Sequence, residues 1–449
     1  MSTRRGPDAE VVARALAGAF LAEDDWTPSA LADVPVRVLG GRRRRWHEQL
    51  AEQVVATCPR PPRDAPRYLT QVVHQAPPFD RAHRRADRQG HPLRVRRRPV
   101  VPTRAGGSPW PTAPLDDVAD LARLLDLDVA HLDWMADVRH LQRRARPGPL
   151  HLYRHRWLER PGRTPRLLEV PTPRLRRVQR TVLDAVLAGL PAHPAAHGFV
   201  PGRSVVTGAR PHVGADVVLR ADLAAFFASV TAGRVHRTLR FLGHPEAVAH
   251  ALTGLCTHEA PVGVLAAMPA GGTPGDRHAL RRALADPHLP QGAPTSPHLA
   301  NLAVHRLDLR LDAYARETGA VYTRYADDLT FSGGPEVGRR AGALLDGVRR
   351  VVRDEGHRLN ETKTRVLPRH RRQAVTGVVV NDAPGVGRRE VDALRAELHN
   401  CVVHGPASQD RQERGEAYRA HLGGRVSWVE HVSPARGARL RAELERIQW

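Results

Sequence analysis

Apolar positions at helical spacing open the chain. From about Asp8 to Asp25 they predict a short amphipathic helix, and a second is expected near Trp46 to Ala56, just past the basic run Arg42–Arg45. The periodicity is then lost. From Pro59 to about Pro114, proline, arginine and glycine dominate, ending in the linker-like Thr103-Arg-Ala-Gly-Gly-Ser-Pro-Trp-Pro-Thr-Ala-Pro. After Leu115 the texture becomes mixed. Asp116–Leu141 reads as helical, and Val170 to Gly189 starts on Pro-Thr-Pro and continues as a basic amphipathic helix. Val217-Val-Leu-Arg-Ala-Asp222 is a short apolar strand ending on an acid. Thr257 to Pro290 is rich in glycine and proline and reads as a surface insertion. Ser296-Pro297 is a helix start, with serine as cap and proline in the first turn. The stripe Ala300, Val304, Leu307, Leu311 and Tyr314 behind it is core packing. Tyr322–Ser332 reads as a hairpin tipped by Ala326-Asp327-Asp328, and the tail from about Val386 to Trp449 is mostly helical. The pattern as a whole is α+β.

Composition adds a partner class. The 449 residues carry 69 Lys+Arg against 47 Asp+Glu, a formal charge of +22. Such an excess suits a polyanion, because neutralising phosphates releases counterions and drives nucleic-acid binding. An arginine-favouring codon bias contributes to it, since Lys363 is the single lysine. Cys58, Cys256 and Cys401 are scattered, without a CxxC pair, which speaks against a disulfide framework or zinc site and for a reducing cytoplasm. No apolar run approaches a membrane span, and Met1-Ser-Thr-Arg-Arg-Gly leads into no signal-peptide core. A cytoplasmic protein with no membrane partner is expected.

The chemistry concentrates in three segments. Tyr325-Ala-Asp-Asp places two adjacent carboxylates between β-prone stretches, an arrangement that repels itself unless something positive compensates. Magnesium, hard and oxygen-seeking, is the natural compensator; an ordinary acidic turn is the plain alternative. Asp222, at the end of its strand in Asp222-Leu-Ala-Ala-Phe-Phe-Ala-Ser-Val, can supply a carboxylate from a second strand, so that two metals are gripped. Pro290-Gln-Gly-Ala-Pro-Thr-Ser-Pro-His-Leu-Ala-Asn301 is a tight turn opening a helix, and its glycine permits close approach of a base pair or backbone.

In that order, Asp222, then Gln291-Gly292, then Tyr325-Ala-Asp-Asp, the segments resemble motifs A, B and C of reverse-transcriptase palms nearly letter by letter, and the likeness runs from about Leu115 to the C-terminus. The resemblance implies a right-hand polymerase: fingers and palm over 114–382, a helical thumb over 383–449, and a basic, partly helical extension of unknown role over 1–113. It implies Asp222, Asp327 and Asp328 as catalytic residues and as ligands of two Mg2+ ions, with Asp328 secondary. Phe227 falls where the family keeps a bulky gate against the ribose 2′-hydroxyl, a buried core phenylalanine being the alternative. Gln291 and Gly292 would lie along the template and incoming nucleotide. Arg163-Thr-Pro-Arg166 through Gln179 resembles the fingers segment. There Arg166 would clasp the triphosphate, and Arg174, Arg176 and Arg177 would touch template backbone or remain solvated charges. Lys363, in Leu359-Asn-Glu-Thr-Lys-Thr, resembles the motif D lysine. Chemistry agrees, because protonating a departing pyrophosphate needs a group that releases a proton, and arginine does not.

Two stretches narrow the likeness to bacterial retron enzymes. Ala196–His212, with Arg203 and His212, resembles the retron segment carrying an Asn-Ala-x-x-His box, although Gly208 stands where the asparagine would be. Val375-Thr376-Gly377 matches the retron Val-Thr-Gly, which is also compatible with a plain palm strand. These residues are assigned to nucleic-acid binding by the same resemblance. It implies a cognate structured noncoding RNA as template and primer, priming from an RNA 2′-hydroxyl to give branched RNA–DNA, deoxynucleoside triphosphates as substrates, and a role in antiphage defence with a separate effector protein. The rivals are a defence or group II intron-derived reverse transcriptase primed differently, and an RNA-binding scaffold without catalysis.

Overall fold

The computed structural model describes residues 9–449 except 24, 63–64, 97–105, 139–140, 143–144, 146–147, 149–150, 160 and 413. Residues 103–105 of the expected linker lie outside the described residues. Two compact units make up the chain. The smaller takes Met1–Gly107 with Pro114–Leu121 and Gly243–His250; the larger takes Ser108–Ala113, Ala122–Leu242 and Ala251–Trp449.

The smaller unit is more ordered than its composition predicts. Helices Ala9–Leu21 and Arg45–Thr57 match the periodic stretches, but Pro66–Gln75 and Pro77–Arg88 form within the region that reads as irregular. Each of these two begins at a proline, whose preset φ and missing N–H suit a first helical turn. Val12, Leu16 and Phe20 recur at one-turn spacing and meet Leu50, Val54, Leu69 and Phe79 in one buried core. Trp26 Nε1 donates to the Cys58 carbonyl at 2.7 Å and ties the loop after the first helix to the end of Arg45–Thr57.

In the larger unit, strands β1 (Tyr153–Leu158) and β2 (Arg166–Pro171) form an antiparallel hairpin. The central sheet holds β3 (Val217–Asp222), β4 (Val321–Tyr325), β5 (Asp328–Gly333) and β6 (Arg365–Pro368), antiparallel in the order β4-β5-β3-β6. β3 is almost wholly buried, with Val217, Leu219 and Ala221 on one face and Val218, Arg220 and Asp222 on the other. A third hairpin joins β7 (Ala374–Val375) to β8 (Val378–Val379). The helical tail divides into Arg388–His404, Glu416–Val432 and Pro434–Glu445, which share a core of Leu394, Leu398, Leu422, Val426, Val429 and Leu440. Gly437 lets the last two pack closely, since a Cβ there would lie 2.1 Å from the Glu430 Cα. No helix among the described residues is long and apolar enough to cross a membrane.

Three expectations change. The Thr257–Pro290 stretch is not a loose insertion. Helices Val262–Ala266 and Pro274–Ala285 fold from it, and Leu265 and Leu284 join Leu167, Ala228 and Ala260 in a separate apolar cluster. Its breakers act as starts: Thr273 Oγ1 caps the Asp276 N–H at 3.1 Å with Pro274 behind it. The helix beginning at Ser296 has Thr295 in the cap position, and the Ser296 hydroxyl instead donates to the Pro290 carbonyl at 2.8 Å. The apolar stripe runs over two helices, Ser296–Ala303 and His305–Glu317, broken at Val304, with Ala300, Val304, Leu307 and Leu311 buried as expected.

Candidate active site

β3 and β5 pair in a register that sets Asp222 directly opposite Asp328. Asp327 occupies the turn between β4 and β5, beside Ala326 in a left-handed conformation (φ 56°). The Asp327 carbonyl accepts the Leu223 N–H at 2.9 Å, so the turn is fixed against the end of β3. Three carboxylates therefore converge at one end of the sheet. Burial first, and then the negative charge of Asp222, pushes the Asp327 carboxyl up to about 6. Burial also raises Asp328, with the Arg220 guanidinium 3.6 Å away pulling against it. Oxygen-only donors from two strands, brought to one point, fit a hard divalent ion.

The positive partner comes from the segment before β6. The Asn360 N–H donates to the Asp222 carbonyl at 2.7 Å, and the Ala224 N–H to the Arg358 carbonyl at 2.8 Å. The turn from Asn360 to Thr364 then swings Lys363 Nζ to 2.6 Å from Asp222 Oδ2. Asp222, the Asp327-Asp328 pair and Lys363, from three separate segments of the chain, form one cluster.

Beneath the turn lies a support that sequence reasoning missed. Arg324, one residue before Tyr325, is wholly buried. Its Nε and Nη2 donate to the two oxygens of buried Asp308 at 2.8 and 2.6 Å, and its Nη1 to Asn301 Oδ1 and the Ala326 carbonyl, both at 3.0 Å. Tyr322 adds its hydroxyl to Asp308 at 2.8 Å. Burial works against the Arg324 charge, but Asp308 outweighs it and raises the arginine further. Gly198 passes on the other side, where a Cβ would come within 2.5 Å of the Ala326 N, and Asn301 Nδ2 holds its carbonyl at 3.0 Å. A basic residue inside an otherwise apolar strand was the signal available. Asp308→Leu should destabilise the fold by about 3–5 kcal/mol, because it strands a buried guanidinium. Arg324→Met combined with Asp308→Leu should cost less than Asp308→Leu alone, and urea denaturation of the two variants checks the order.

The other expected site residues separate into two groups. Phe227 is half-buried in the short helix Phe226–Ser229, with rings of Phe226 and Phe199 at 5.5 and 6.0 Å; its neighbour Phe226 takes the core position. The Gln291–Gly292 turn is bound to β2, because the Glu169 N–H donates to the Gln291 carbonyl at 2.9 Å and the Gln291 N–H to Glu169 Oε2 at 3.4 Å. Gly292 has φ 138°, and a Cβ would meet the Glu169 carbonyl at 2.8 Å, so glycine is required there. Arg166 is exposed at the start of that strand. Arg174, Arg176 and Arg177 are exposed on the helix Pro173–Val182, whose other face buries Leu175, Val178 and Val182; Arg174 also lies 5.2 Å over the Trp134 ring.

The retron-like residues are placed inward. His212 is wholly buried, with Nδ1 on Ser332 Oγ and Nε2 on Thr323 Oγ1, each at 2.7 Å, and burial pushes its pKa down to about 3. It is a neutral cross-brace of the sheet. Arg203 spends Nη1 on the carbonyls of His193, Pro194 and Ala196, which shapes the loop ahead of Gly198. Gly208 packs against His197, where a Cβ would stand 3.2 Å from the histidine Cβ. Val375 is buried among the C-terminal helices, and Thr376 (φ 47°) with Gly377 (φ 90°) makes the two-residue turn between β7 and β8. The Val-Thr-Gly signal is therefore a tight hairpin and not a strand of the central sheet, and of its three residues only Thr376 and Gly377 reach the surface.

Comparison with known proteins agrees with this arrangement. Residues 159–380 match the family described as reverse transcriptase (RNA-dependent DNA polymerase). The chain is 44% identical over 281 residues to the retron Mx65 reverse transcriptase of Myxococcus xanthus, covering 61% of this chain and 60% of that one. It is 39% identical over 349 residues to the retron Mx162 reverse transcriptase of the same organism, covering 74% of this chain and 67% of that one. To the retron Ec86 reverse transcriptase of Escherichia coli it is 31% identical over 256 residues, covering 57% of this chain and 71% of that relative. The likeness thus spans about three fifths of the Mx65 enzyme's length and somewhat more of the other two. Sequence identity of this extent, over the region that carries Asp222, the Gln291–Gly292 turn and the Tyr325-Ala-Asp-Asp hairpin, makes this chain a member of the retron-type reverse transcriptase family.

Proposed function

We propose that the chain is an RNA-directed DNA polymerase that copies a cognate structured noncoding RNA. The observation that carries this reading is the convergence of Asp222, Asp327 and Asp328 at one end of the sheet, with Lys363 on Asp222. Asp222 and Asp327, with Asp328 beside them, would hold two magnesium ions, which when bound steady the charge on the attacking hydroxyl and the departing pyrophosphate. Lys363, paired with Asp222, would surrender a proton to the leaving group. Arg166 takes phosphate oxygens in pairs, Gln291 and Gly292 border the nascent base pair, and exposed Arg176 and Arg177 follow the template backbone. In this reading the central sheet is the palm of a right hand, fingers and palm extend over 114–382, the helical tail over 383–449 is the thumb, and residues 1–113 form a basic extension.

Phe227 is the sugar gate. Its half-buried ring, braced by Phe199 and Phe226, suits a rigid wall better than a core residue. Phe227→Ala should raise ribonucleotide incorporation relative to deoxyribonucleotide by about tenfold or more, the scale of losing a well-placed steric contact. Single-nucleotide insertion assays read that ratio, and an unchanged ratio returns Phe227 to the core.

Priming from an RNA 2′-hydroxyl, a branched RNA–DNA product, and antiphage defence with a separate effector belong to the same proposal, supported by membership in the retron-type family. Primer extension on an RNA template with magnesium tests the polymerase. Sequencing the nucleic acid that co-purifies tests the rest: a 2′–5′ branch in a single RNA species supports it, and linear, unbranched DNA from mixed templates points to a different priming mode. A folded chain inert in both assays is a scaffold.

A further inference from the structure

Behind the Gln291–Gly292 turn lies a cluster that polymerisation does not use. His155 on β1, Glu169 on β2 and His258 each offer one ligand atom, and these atoms all lie within 4.8 Å of one another. His155 Nε2 faces His258 Nε2 at 2.9 Å, and the Tyr153 ring stacks on His258 at 4.2 Å. Glu169 is only 1% exposed. Its Oε2 takes His288 Nε2 at 3.0 Å and the Gln291 N–H at 3.4 Å, while its Oε1 has no hydrogen-bond partner among the described residues. A buried carboxylate oxygen left bare is costly, and native structures rarely keep one without a reason.

His288 Nδ1 faces the Asp286 carbonyl at 2.7 Å and its Nε2 faces the Glu169 carboxylate at 3.0 Å, so the ring orients Glu169. Two imidazole nitrogens and one carboxylate oxygen are a donor set that zinc accepts and that magnesium, seeking only oxygen, does not favour.

We propose that His155 Nε2, His258 Nε2 and the Glu169 carboxylate form a zinc site, distinct from the carboxylates at the end of the sheet, that clamps the β1–β2 hairpin to the stretch around His258, which is itself bridged to His288 ahead of the Gln291–Gly292 turn. His155 is half-buried, and water would complete the fourth zinc position. His288 is the outer partner that presents Glu169, and a zinc ion at the bare oxygen would fix the turn through the Glu169–Gln291 bonds already in place.

The test uses the full chain, stripped with EDTA, reconstituted with zinc, gel-filtered, and assayed for metal by mass spectrometry, with circular dichroism as the folding control. About one zinc per chain is expected for the wild type, and a melting temperature that falls when the metal is removed. His155→Gln and Glu169→Gln should lose the zinc while staying folded, whereas Asp327→Asn should keep it. Cobalt in place of zinc should give the visible bands of a tetrahedral nitrogen–oxygen site, absent in His155→Gln. If either variant fails to fold, the wild-type count and cobalt spectrum still decide. The proposal is overturned by a folded wild type that takes up no zinc, in which case His155 and His258 share a plain hydrogen bond. It is equally overturned by zinc that survives His155→Gln, by zinc lost in Asp327→Asn, or by thiolate charge-transfer bands in the cobalt spectrum.

Discussion

Asp327→Asn, and separately Asp222→Asn, should reduce DNA synthesis by about a thousandfold or more while the protein remains folded. The magnitude follows from removing several kcal/mol of charge stabilisation at the reacting phosphate, at about 1.4 kcal/mol for each factor of ten. The fold should survive because Asp327 lies in a turn held by its backbone, through the Leu223 N–H, and not by its side chain. The metal-free protein offers a second readout. Asp327 titrates near 6 when folded, against its ordinary 3.8, so the folded state binds more protons between those values. Metal-free wild type therefore loses stability as pH rises from about 4 to about 6, and Asp327→Asn does not share this loss. The melting temperature of the variant minus that of the wild type should widen across that window. Above pH 6, magnesium should raise the wild-type melting temperature and move the variant far less. Near-normal primer extension by a folded Asp327→Asn protein would remove Asp327 from the site.

Lys363→Arg should lower the chemical rate by about 10²–10⁴-fold, the usual contribution of a general acid, with nucleotide affinity little changed. Lys363 Nζ touches Asp222 Oδ2 at 2.6 Å, and its side chain is 39% exposed, so an arginine can enter the same space and keep the ion pair. What arginine lacks is a proton it can give up. Lys363→Leu loses the charge as well, and should bind nucleotide more weakly or react more slowly still. Single-turnover kinetics is the required measurement, since slow product release masks the chemical step in the steady state. A wild-type chemical rate in Lys363→Arg makes Lys363 an electrostatic partner of Asp222 and nothing more.

The catalytic candidates were legible from the chain because their signals are short-range. Asp222 ends an apolar strand, Asp327 and Asp328 sit in a two-strand hairpin, and Lys363 stands alone among arginines. Pattern and turn chemistry act within a few residues, so they survive in the written sequence. Helices begun by prolines were the local failure. Pro66, Pro77 and Pro274 read as breakers when counted by composition, yet each stands at a first turn, where its constraint favours the helix.

What the tertiary structure alone decided is which polar groups are buried and whom they meet. Asp308 and Arg324 are ordinary charges in the sequence, as are Glu169 and His288, and each pair becomes a buried ionic contact through packing across the fold. His212 and Val375 carry family letters that suggested contact with nucleic acid, and burial assigns them to the core instead. Burial depends on contacts between residues 16 to 120 positions apart, as in Arg324–Asp308 and His212–Ser332, and such distances leave no periodicity to read. The chain by itself determined the candidate carboxylates and the strand ends that carry them. The packed structure determined what holds them in place, because the cost of an unpaired polar group exists only once water has been excluded.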